Sequence, residues 1–219
     1  MPLSLADRVA AVTAMALTDM APVWELASPQ DAAEALMDLL PPFIEAWSSA
    51  AAALAADWYD DCREELNIGG VFTAIVPEPG DLGAEALAGW AGTALQGSEP
   101  DWGLARSRTE GGAQRRIANS ARGAVMTSSV ADPKARGWKR LVKPGACGFC
   151  RMLALRGYKY KSADSATFGA HDHCDCSAVP GWSGGAAIGV RDFTPSEKDI
   201  TPEQRQATYE WIKENLPIA

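Results

Sequence analysis

The sequence predicts a mainly α fold: a helical N-terminal region, followed by a small zinc-stapled α+β module and a C-terminal helix. Two observations support this prediction. Apolar side chains recur every three or four residues through most of the first 130 positions, which is the period of an amphipathic helix. Beyond them, short strand-like segments lie between glycines, cysteines and histidines. We therefore divide the 219 residues into a helical region (1–130), a metal-binding module (131–185) and a tail with one helix (186–219).

The composition is that of a soluble globular protein, with 47% hydrophobic and 22% charged residues. Its longest apolar run, Ala50 to Ala56, is far shorter than the roughly 20 residues that cross a bilayer. We therefore expect no membrane span and no membrane partner. The first eight residues lack a basic segment followed by an apolar core, so we also expect no secretory signal and synthesis in a cytoplasm.

Two helices are predicted between residues 29 and 66. Ser28 can cap the first, which should end at Pro41-Pro42 because proline has no N–H to donate and disfavours helix in the preceding residue. The second should pack through an apolar stripe of Phe43, Trp47, Ala51, Leu54, Trp58, Cys62 and Leu66. In this interpretation Cys62 and the tryptophans at 47, 58 and 90 are core residues.

The next segments are less regular. Residues 71–76 could form a short strand or an extended connector, and Asp81 can cap a helix that reaches about Leu95. A further helix over about 107–130 carries several arginines and is weakened by Gly111-Gly112. Strand-like chemistry then appears at 138–142, 158–161 and 176–179. A capping box at Thr201 to Gln204 predicts the C-terminal helix.

Charge is segregated along the chain. Residues 1–100 hold 16 acidic and 2 basic side chains, residues 101–161 hold 3 acidic and 14 basic ones, and residues 162–219 hold 9 acidic and 4 basic ones. The basic middle could face phosphate, or the acidic helices of the same chain could neutralise it. We favour neutralisation, because so acidic a flank would repel DNA unless it faced away.

Four of the five cysteines and both histidines fall within thirty residues, as Cys147-x2-Cys150 and a second group at 171–176. Thiolates and imidazoles at such spacings are typical of a structural zinc site, and these soft ligands favour zinc over calcium or magnesium. The sequence therefore predicts one structural zinc ion. The six candidate ligands are Cys147, Cys150, His171, His173, Cys174 and Cys176.

Four ligands complete a tetrahedron, so two of the six donors are in excess. Cys147 and Cys150 are the firmest candidates. The second group could supply His171 with Cys174, His173 with Cys176, or both cysteines; we prefer His171 with Cys174. A catalytic zinc would need an open position and usually a neighbouring carboxylate base, yet no glutamate lies between Glu110 and Glu197. We therefore expect a protein that is not an enzyme.

Residues 136–182 resemble the MuF-like minor capsid proteins of tailed bacteriophages, also called phage head morphogenesis proteins. The resemblance is carried by Trp138-Lys139-Arg140, by Ala146 to Gly157, and by His171-Asp172-His173-Cys174-Asp175-Cys176 with Pro180. The family pattern of Cys-x2-Cys followed by His-x2-Cys-x-Cys maps onto Cys147, Cys150, His171, Cys174 and Cys176. The added His173 departs from that pattern.

The resemblance implies a structural component of the virion that lies in the capsid interior at the portal vertex, after assembly in the host cytoplasm. Its implied partners are the phage portal protein and the major capsid protein. The alternative, taken from the residues alone, is a nucleic-acid-binding zinc module that contacts packaged DNA through residues 101–161, where aromatic and basic side chains interleave.

Overall fold

A computed structural model describes residues 4–26, 28–143, 145–158 and 168–182, together with Glu203, Gln206 and Glu210. The described chain is mainly helical, as predicted. Its helices are α1 (Leu5–Met20), α2 (Pro29–Glu65), α3 (Ala84–Gly92), α4 (Trp102–Ala131) and α5 (Gly148–Ala154). Two short 3-10 turns follow α1 and α3, at Ala21–Glu25 and Thr93–Leu95. The strands β1 (Trp138–Leu141) and β2 (Ser177–Pro180) pair antiparallel, with Trp138 opposite Pro180 and Leu141 opposite Ser177.

The predicted break at Pro41-Pro42 is wrong, because α2 runs through both prolines as one helix of 37 residues. Ser28 does cap it as expected, accepting a hydrogen bond from the Asp31 N–H at 3.1 Å. The carbonyls that the prolines leave without an intrahelical donor belong to Met37 and Asp38, which are exposed and can bond water. Buried side chains on both sides of the two prolines stabilise the continuous helix: Leu36, Leu40 and Ile44.

The buried face of α2 is rotated from the predicted stripe. Trp58 is buried as expected, Trp47 and Cys62 are half-buried, and Leu66 is 60% exposed. The fully buried positions are dominated by small side chains, namely Ser48, Ala51, Ala52, Ala55 and Ala56, with Tyr59 and Arg63. They face α4, whose own buried residues are mostly alanine, glycine and serine. Small side chains on both helices allow the two backbones to approach closely. The predicted stripe misses this face because it consists mainly of large apolar side chains.

Helices α3 and α4 differ from their predicted bounds at the N-terminus. Asp81 does not begin α3; its carboxylate accepts the N–H of Gly83 at 2.7 Å, and Gly83 adopts φ +61° before the helix starts. Helix α4 begins about five residues earlier than predicted because Asp101 caps it, accepting the Leu104 N–H at 2.8 Å. Trp90 is 47% exposed rather than core, and the Arg108 guanidinium stacks on its ring at 4.6 Å.

Residues 71–76 form the extended connector, not a strand. Side chains satisfy the connector backbone in place of a ladder: the Ala74 N–H donates to Asp60 at 3.0 Å and the Ile75 N–H to Ser128 Oγ at 2.9 Å. The strands predicted at 138–142 and 176–179 are confirmed to within a residue or two. The strand predicted at 158–161 lies beyond the described residues except for Tyr158. Of the predicted C-terminal helix, the three described residues are helical.

One buried cluster joins the helical region to the segment that follows it. It contains residues of α1, α2 and α4 together with Trp138, Cys150, Phe168, Cys174, Cys176 and Ala178. A second cluster, at the other end of α2, includes α3 together with Ala105 and Ala113 of α4. The cysteines of the predicted metal site are thus part of a core shared with the long helices, and changes at the site should affect helix packing.

One described helix, α2, is long and apolar enough by length and composition to cross a membrane, with a mean hydropathy of 1.2 in its most apolar 18-residue window. The sequence predicts no segment of this kind. The continuous helix meets the criterion because it joins two segments that Pro41-Pro42 were predicted to separate. Core helices of folded proteins meet the same criterion, and α2 buries one face against α3 and α4.

Candidate metal centre

The first pair of candidate ligands is positioned by the start of α5. Cys147 is the N-cap residue, and its Sγ accepts the N–H of Cys150 at 3.5 Å. Cys150 lies in the first turn and is 1% exposed. A helix start brings residues i and i+3 to the same side, so both sulfurs point toward the same region. The Cys-x2-Cys spacing is therefore realised as a helical N-terminus.

The second group lies in the loop 171–176, directly before β2. Cys174 and Cys176 are buried, whereas His171 and Asp175 are exposed. His173 adopts a left-handed φ of +59°, which turns the chain in the middle of the loop. Pairing of β1 with β2 then holds the end of this loop beside the segment that leads to α5.

The structure brings five of the six predicted ligands together in two overlapping trios. Ligand atoms within 4.8 Å of one another are found for Cys147, Cys150 and His171, and again for Cys150, Cys174 and Cys176. The Sγ atoms of Cys150 and Cys174 are 4.0 Å apart, and Cys147 Sγ lies 3.3 Å from His171 Nε2. Tetrahedral zinc with its usual bond lengths separates two sulfurs by about 3.8 Å and a sulfur from a nitrogen by about 3.5 Å. The donor spacing therefore fits a metal ion of this kind.

Hydrogen bonding leaves the correct histidine nitrogen available. His171 Nδ1 lies 2.7 Å from the Asp172 carbonyl, so it is the nitrogen that carries the proton and donates. Nε2 then presents its lone pair on the side of Cys147. Metal-binding histidines commonly use this arrangement, in which a backbone carbonyl fixes the tautomer and the ring orientation.

The thiols differ in their readiness to ionise. Contact with the thiols of Cys150 and Cys176, supported by Arg122, lowers the pKa of Cys174 far below its usual value. Hydrogen bonding with the thiols of Cys174 and Cys176, together with burial, raises the pKa of Cys150. Cys62, on α2, is a useful contrast: burial and the nearby Glu65 and Asp61 raise its pKa to about 11. Within the cluster, the pKa values of Cys147 and Cys174 are lowered, so these two thiols ionise most readily, whereas the pKa of Cys176 is raised like that of Cys150.

His173 belongs to neither trio. Its ring packs against α4, where a Cβ added at Gly111 would lie 2.6 Å from Nε2. A cavity of about 100 Å³ lies between the two donor groups, and both histidines and all four clustered cysteines line it. The preferred set of Cys147, Cys150, His171 and Cys174 thus stays a prediction. Cys147, Cys150 and His171 form one trio, and the sulfurs of both later cysteines lie near that of Cys150.

A protein-family model, that of the VG15 protein, matches residues 4–211. The chain belongs to the VG15 family. The match supports a phage protein, and the family description leaves its function open. No curated protein and no solved structure gives a significant match. The VG15 match covers the long helices as well as the cysteine and histidine cluster, whereas the resemblance to MuF-like proteins is confined to 136–182.

In this member of the VG15 family, α4 supports the ligand loop with a row of polar contacts. Arg115 Nε lies 3.2 Å from the Asp172 carboxylate, and Gln114 donates to Asp175 at 3.3 Å. Arg122 donates from Nε to the Cys176 carbonyl at 2.8 Å and from Nη2 to the Cys174 carbonyl at 2.5 Å. These residues are absent from the predicted site. Periodicity shows them only as positions on a basic helix, and nothing in their spacing indicates a loop about 55 residues away.

The glycine pair that weakens α4 has a packing role. Gly111 leaves room for the His173 ring, and Gly112 leaves room for Leu87 of α3. Neither approach is possible with a Cβ in place unless a neighbour shifts. The helix therefore forgoes helix propensity at two positions and gains close contact with the ligand loop on one side and with α3 on the other.

Gly111→Ala is expected to lower the free energy of unfolding by about 1–3 kcal/mol, because the new methyl group displaces His173 and with it the ligand loop. Gly123→Ala, in the same helix, is the control: its Cβ meets only Pro77 at 3.9 Å, and greater helix propensity should stabilise it by about 0.5–1 kcal/mol. Urea unfolding of both variants measures the difference. Equal effects of the two substitutions would contradict the packing role of Gly111.

Proposed function

We propose that this protein is a structural minor capsid protein, acting in head morphogenesis of a tailed phage, with one structural zinc ion. The observation that carries the proposal is the convergence of Cys147, Cys150, His171 and the later cysteines at distances that suit zinc, in the order of the MuF-like pattern. Membership of a phage protein family supports it. The proposed role is structural and not enzymatic, and the proposed location is the capsid interior at the portal vertex.

The zinc ion would cross-link the part of the fold that has the smallest hydrophobic core, around α5, β1 and β2. Among the described residues the sheet has two short strands and α5 is seven residues long, so this part of the fold has little core of its own. Zinc held between α5 and the loop before β2 would join these pieces and hold them on α4. We propose that the resulting rigid surface, with the acidic helices beside it, contacts the portal protein and, in the capsid, the major capsid protein.

Contacts within the chain support the structural role over the DNA-binding alternative. Many basic side chains of residues 101–161 are engaged internally: Arg106 with Glu110, Arg115 with Asp172, Lys143 with Asp7, and Arg116, Arg122 and Arg140 with backbone carbonyls. The three ion pairs favour the self-neutralising interpretation of the basic segment, and the arginines that are bonded to carbonyls within the fold are poor partners for phosphates. Contact with packaged DNA stays the second candidate.

The proposal is tested by locating the protein in purified particles of the phage that encodes it. We expect quantitative mass spectrometry to find it in few copies per particle, and cryo-EM to place it at the portal vertex. We also expect the purified protein to bind the portal protein of the same phage and to contain one zinc per chain. Absence from particles would contradict the capsid role. Tight, salt-dependent binding to duplex DNA without binding to the portal protein would favour the alternative.

A further inference from the structure

We propose that Arg122 and Arg140 are positioning residues of the metal centre, and that their buried positive charge matches an ion held by at least three thiolates. The inference rests on the zinc site of the proposed function and identifies two residues that support it. Neither arginine is a candidate metal ligand. Arg122 is also distant from the Cys/His motif in sequence, because it lies 25 residues before Cys147.

Both guanidinium groups are buried without a carboxylate partner among the described residues. Each arginine is only 3% exposed. The other buried arginine of the described chain, Arg63, is 6% exposed and pairs with Asp132. The remaining ion pairs of the described ranges involve Arg8, Arg106, Arg115 and Lys143, and none includes Arg122 or Arg140. A buried charge is costly unless an opposite charge compensates it, so these two cations need an anion nearby.

The cysteine cluster is the nearest candidate for that anion. Arg140 Nη1 lies 3.4 Å from the Sγ of Cys150, and its Nη2 donates to the Gly169 carbonyl at 2.9 Å. Arg122 reaches the backbone of Cys174 and Cys176. Both guanidinium groups also lie over the ring of Phe168, at 3.6 Å for Arg140 and 4.7 Å for Arg122. The two cations therefore lie beside the cluster, and both stack on the same aromatic ring.

Charge balance distinguishes the possible ligand sets. A zinc ion with two thiolates and two neutral imidazoles has no net charge, whereas three or four thiolates give the centre one or two negative charges. A neutral centre would leave both buried cations uncompensated. The positions of Arg122 and Arg140 thus favour three or four cysteine ligands, with His171 as the imidazole donor in the three-cysteine case. A set that uses both histidines does not match these charges.

Arg122 also fixes the geometry of the second ligand group. One guanidinium donates to the carbonyls of two ligands, Cys174 and Cys176, and a third donor contacts Asn119 Oδ1 at 2.7 Å. A planar fork bonded in this way holds the two carbonyls at a set separation, which an ammonium group cannot reproduce. Because Arg122 belongs to α4, this helix determines where the sulfurs of Cys174 and Cys176 lie relative to the other ligands.

The test is the zinc affinity of the full-length protein, measured by chelator competition, for Arg122→Met and Arg140→Met. Loss of an outer partner of a metal ligand typically weakens metal binding ten- to hundredfold, and we expect a loss in that range for each. The matched control is Arg116→Met: Arg116 is also in α4 and also donates to carbonyls, those of Leu82 and Gly83, but it does not contact the cluster. Its zinc affinity should equal that of the wild type.

Arg140→Lys separates charge from packing. Because lysine keeps the positive charge beside Cys150, we expect it to recover most of the affinity that methionine loses. At Arg122 lysine should recover less, because one ammonium cannot bond both carbonyls. Equal losses for lysine and methionine at position 140 would overturn the charge argument. If Arg140→Met does not fold, Arg140→Lys is compared with the wild type: a loss of zinc affinity below about tenfold supports the charge argument, and a larger loss overturns it.

Cobalt substitution gives an independent count of thiolates. Absorption from thiolate-to-cobalt charge transfer grows with the number of coordinated thiolates, so the wild-type protein is compared with cobalt-loaded zinc-finger peptides that supply two, three or four cysteine ligands, with histidines completing the set. We expect an intensity in the range of the three- and four-cysteine peptides, and the intensity of the two-cysteine peptide would overturn the inference. Failure of the wild type to bind any metal would instead overturn the zinc site itself. Unchanged affinity in the arginine variants of a zinc-binding protein would overturn this inference alone.

Discussion

Cys150→Ser is expected to abolish stoichiometric zinc binding and to produce the largest loss of stability of any single substitution in the site. Cys150 is the one ligand that belongs to both trios of donors, and it is 1% exposed within the core cluster. Removing it leaves neither trio complete. It also places a hydroxyl beside Arg140 and the neighbouring thiols, where a thiolate should balance the buried charge.

The size of the effect follows from linkage. A ligand present at a thousand times its dissociation constant stabilises the folded state by about 4 kcal/mol, and this contribution disappears when the site is lost. Because the cluster shares its core with α1, α2 and α4, we expect the whole described fold to melt at lower temperature, not only the segment around β1 and β2. Calorimetry with and without zinc, together with metal analysis, measures both quantities.

Cys62→Ser is the matched control for this experiment. Cys62 is half-buried on α2, it lies outside both trios, and its thiol has a raised pKa. The substitution should leave zinc content at one ion per chain and should change stability by no more than about 1 kcal/mol. Full zinc content and an unchanged melting temperature in Cys150→Ser would contradict both the site and its structural role.

The sequence indicates the helices and the donors because both depend on local spacing. Ser28 caps α2 and the Cys-x2-Cys pair opens α5, and each is visible within a few residues. The error at Pro41-Pro42 arises because the rule for proline is local, whereas packing of Leu40 and Ile44 on one face stabilises the helix across the break. The free energy that the prolines cost the helix cannot be compared with the free energy gained by packing until the partner helices are known.

The supports of the site could not be predicted, because they join distant parts of the chain. Arg122 meets the ligand loop across more than fifty residues, and Gly111 makes room for His173 across a similar distance. In the sequence the first is one of many arginines, and the second is a helix-weakening glycine. Their roles become visible only when α4 and the loop are placed side by side.

Asp132→Asn is expected to destabilise the fold by about 3–5 kcal/mol, because it breaks a buried ion pair and leaves the positive charge of Arg63 uncompensated. Asp132 follows the last residue of α4, and its side chain is fully buried. Oδ2 accepts hydrogen bonds from Arg63, from Tyr59 Oη at 3.0 Å and from Trp182 Nε1 at 3.0 Å. One carboxylate thus joins α2, the end of α4 and the segment after β2.

Asp61→Asn is the control for charge at an exposed position. Asp61 pairs with Arg8 at 3.2 Å, and half of its side chain is exposed. Pairs of this kind contribute between 0 and about 1 kcal/mol, so this variant should unfold close to the wild type in urea. Similar effects of the two substitutions would contradict the assignment of Asp132 as a central buried charge.

The dependence on pH gives a second measurement of the same group. Burial alone would raise the pKa of Asp132, but hydrogen bonds from Trp182, the Lys134 N–H, Tyr59 and Arg63 lower it below its usual value. A carboxyl with a lowered pKa in the folded state stabilises the fold above the unfolded pKa of about 3.9, and this stabilisation is lost as the pH falls further. The difference in unfolding free energy between wild type and Asp132→Asn should therefore be constant near neutral pH and shrink below about pH 4. Comparing the two proteins at each pH cancels the release of zinc in acid, which affects both alike. A difference that stays constant into acid would show that Asp132 has the same pKa in the folded and the unfolded states, and would contradict its role as the buried partner of Arg63.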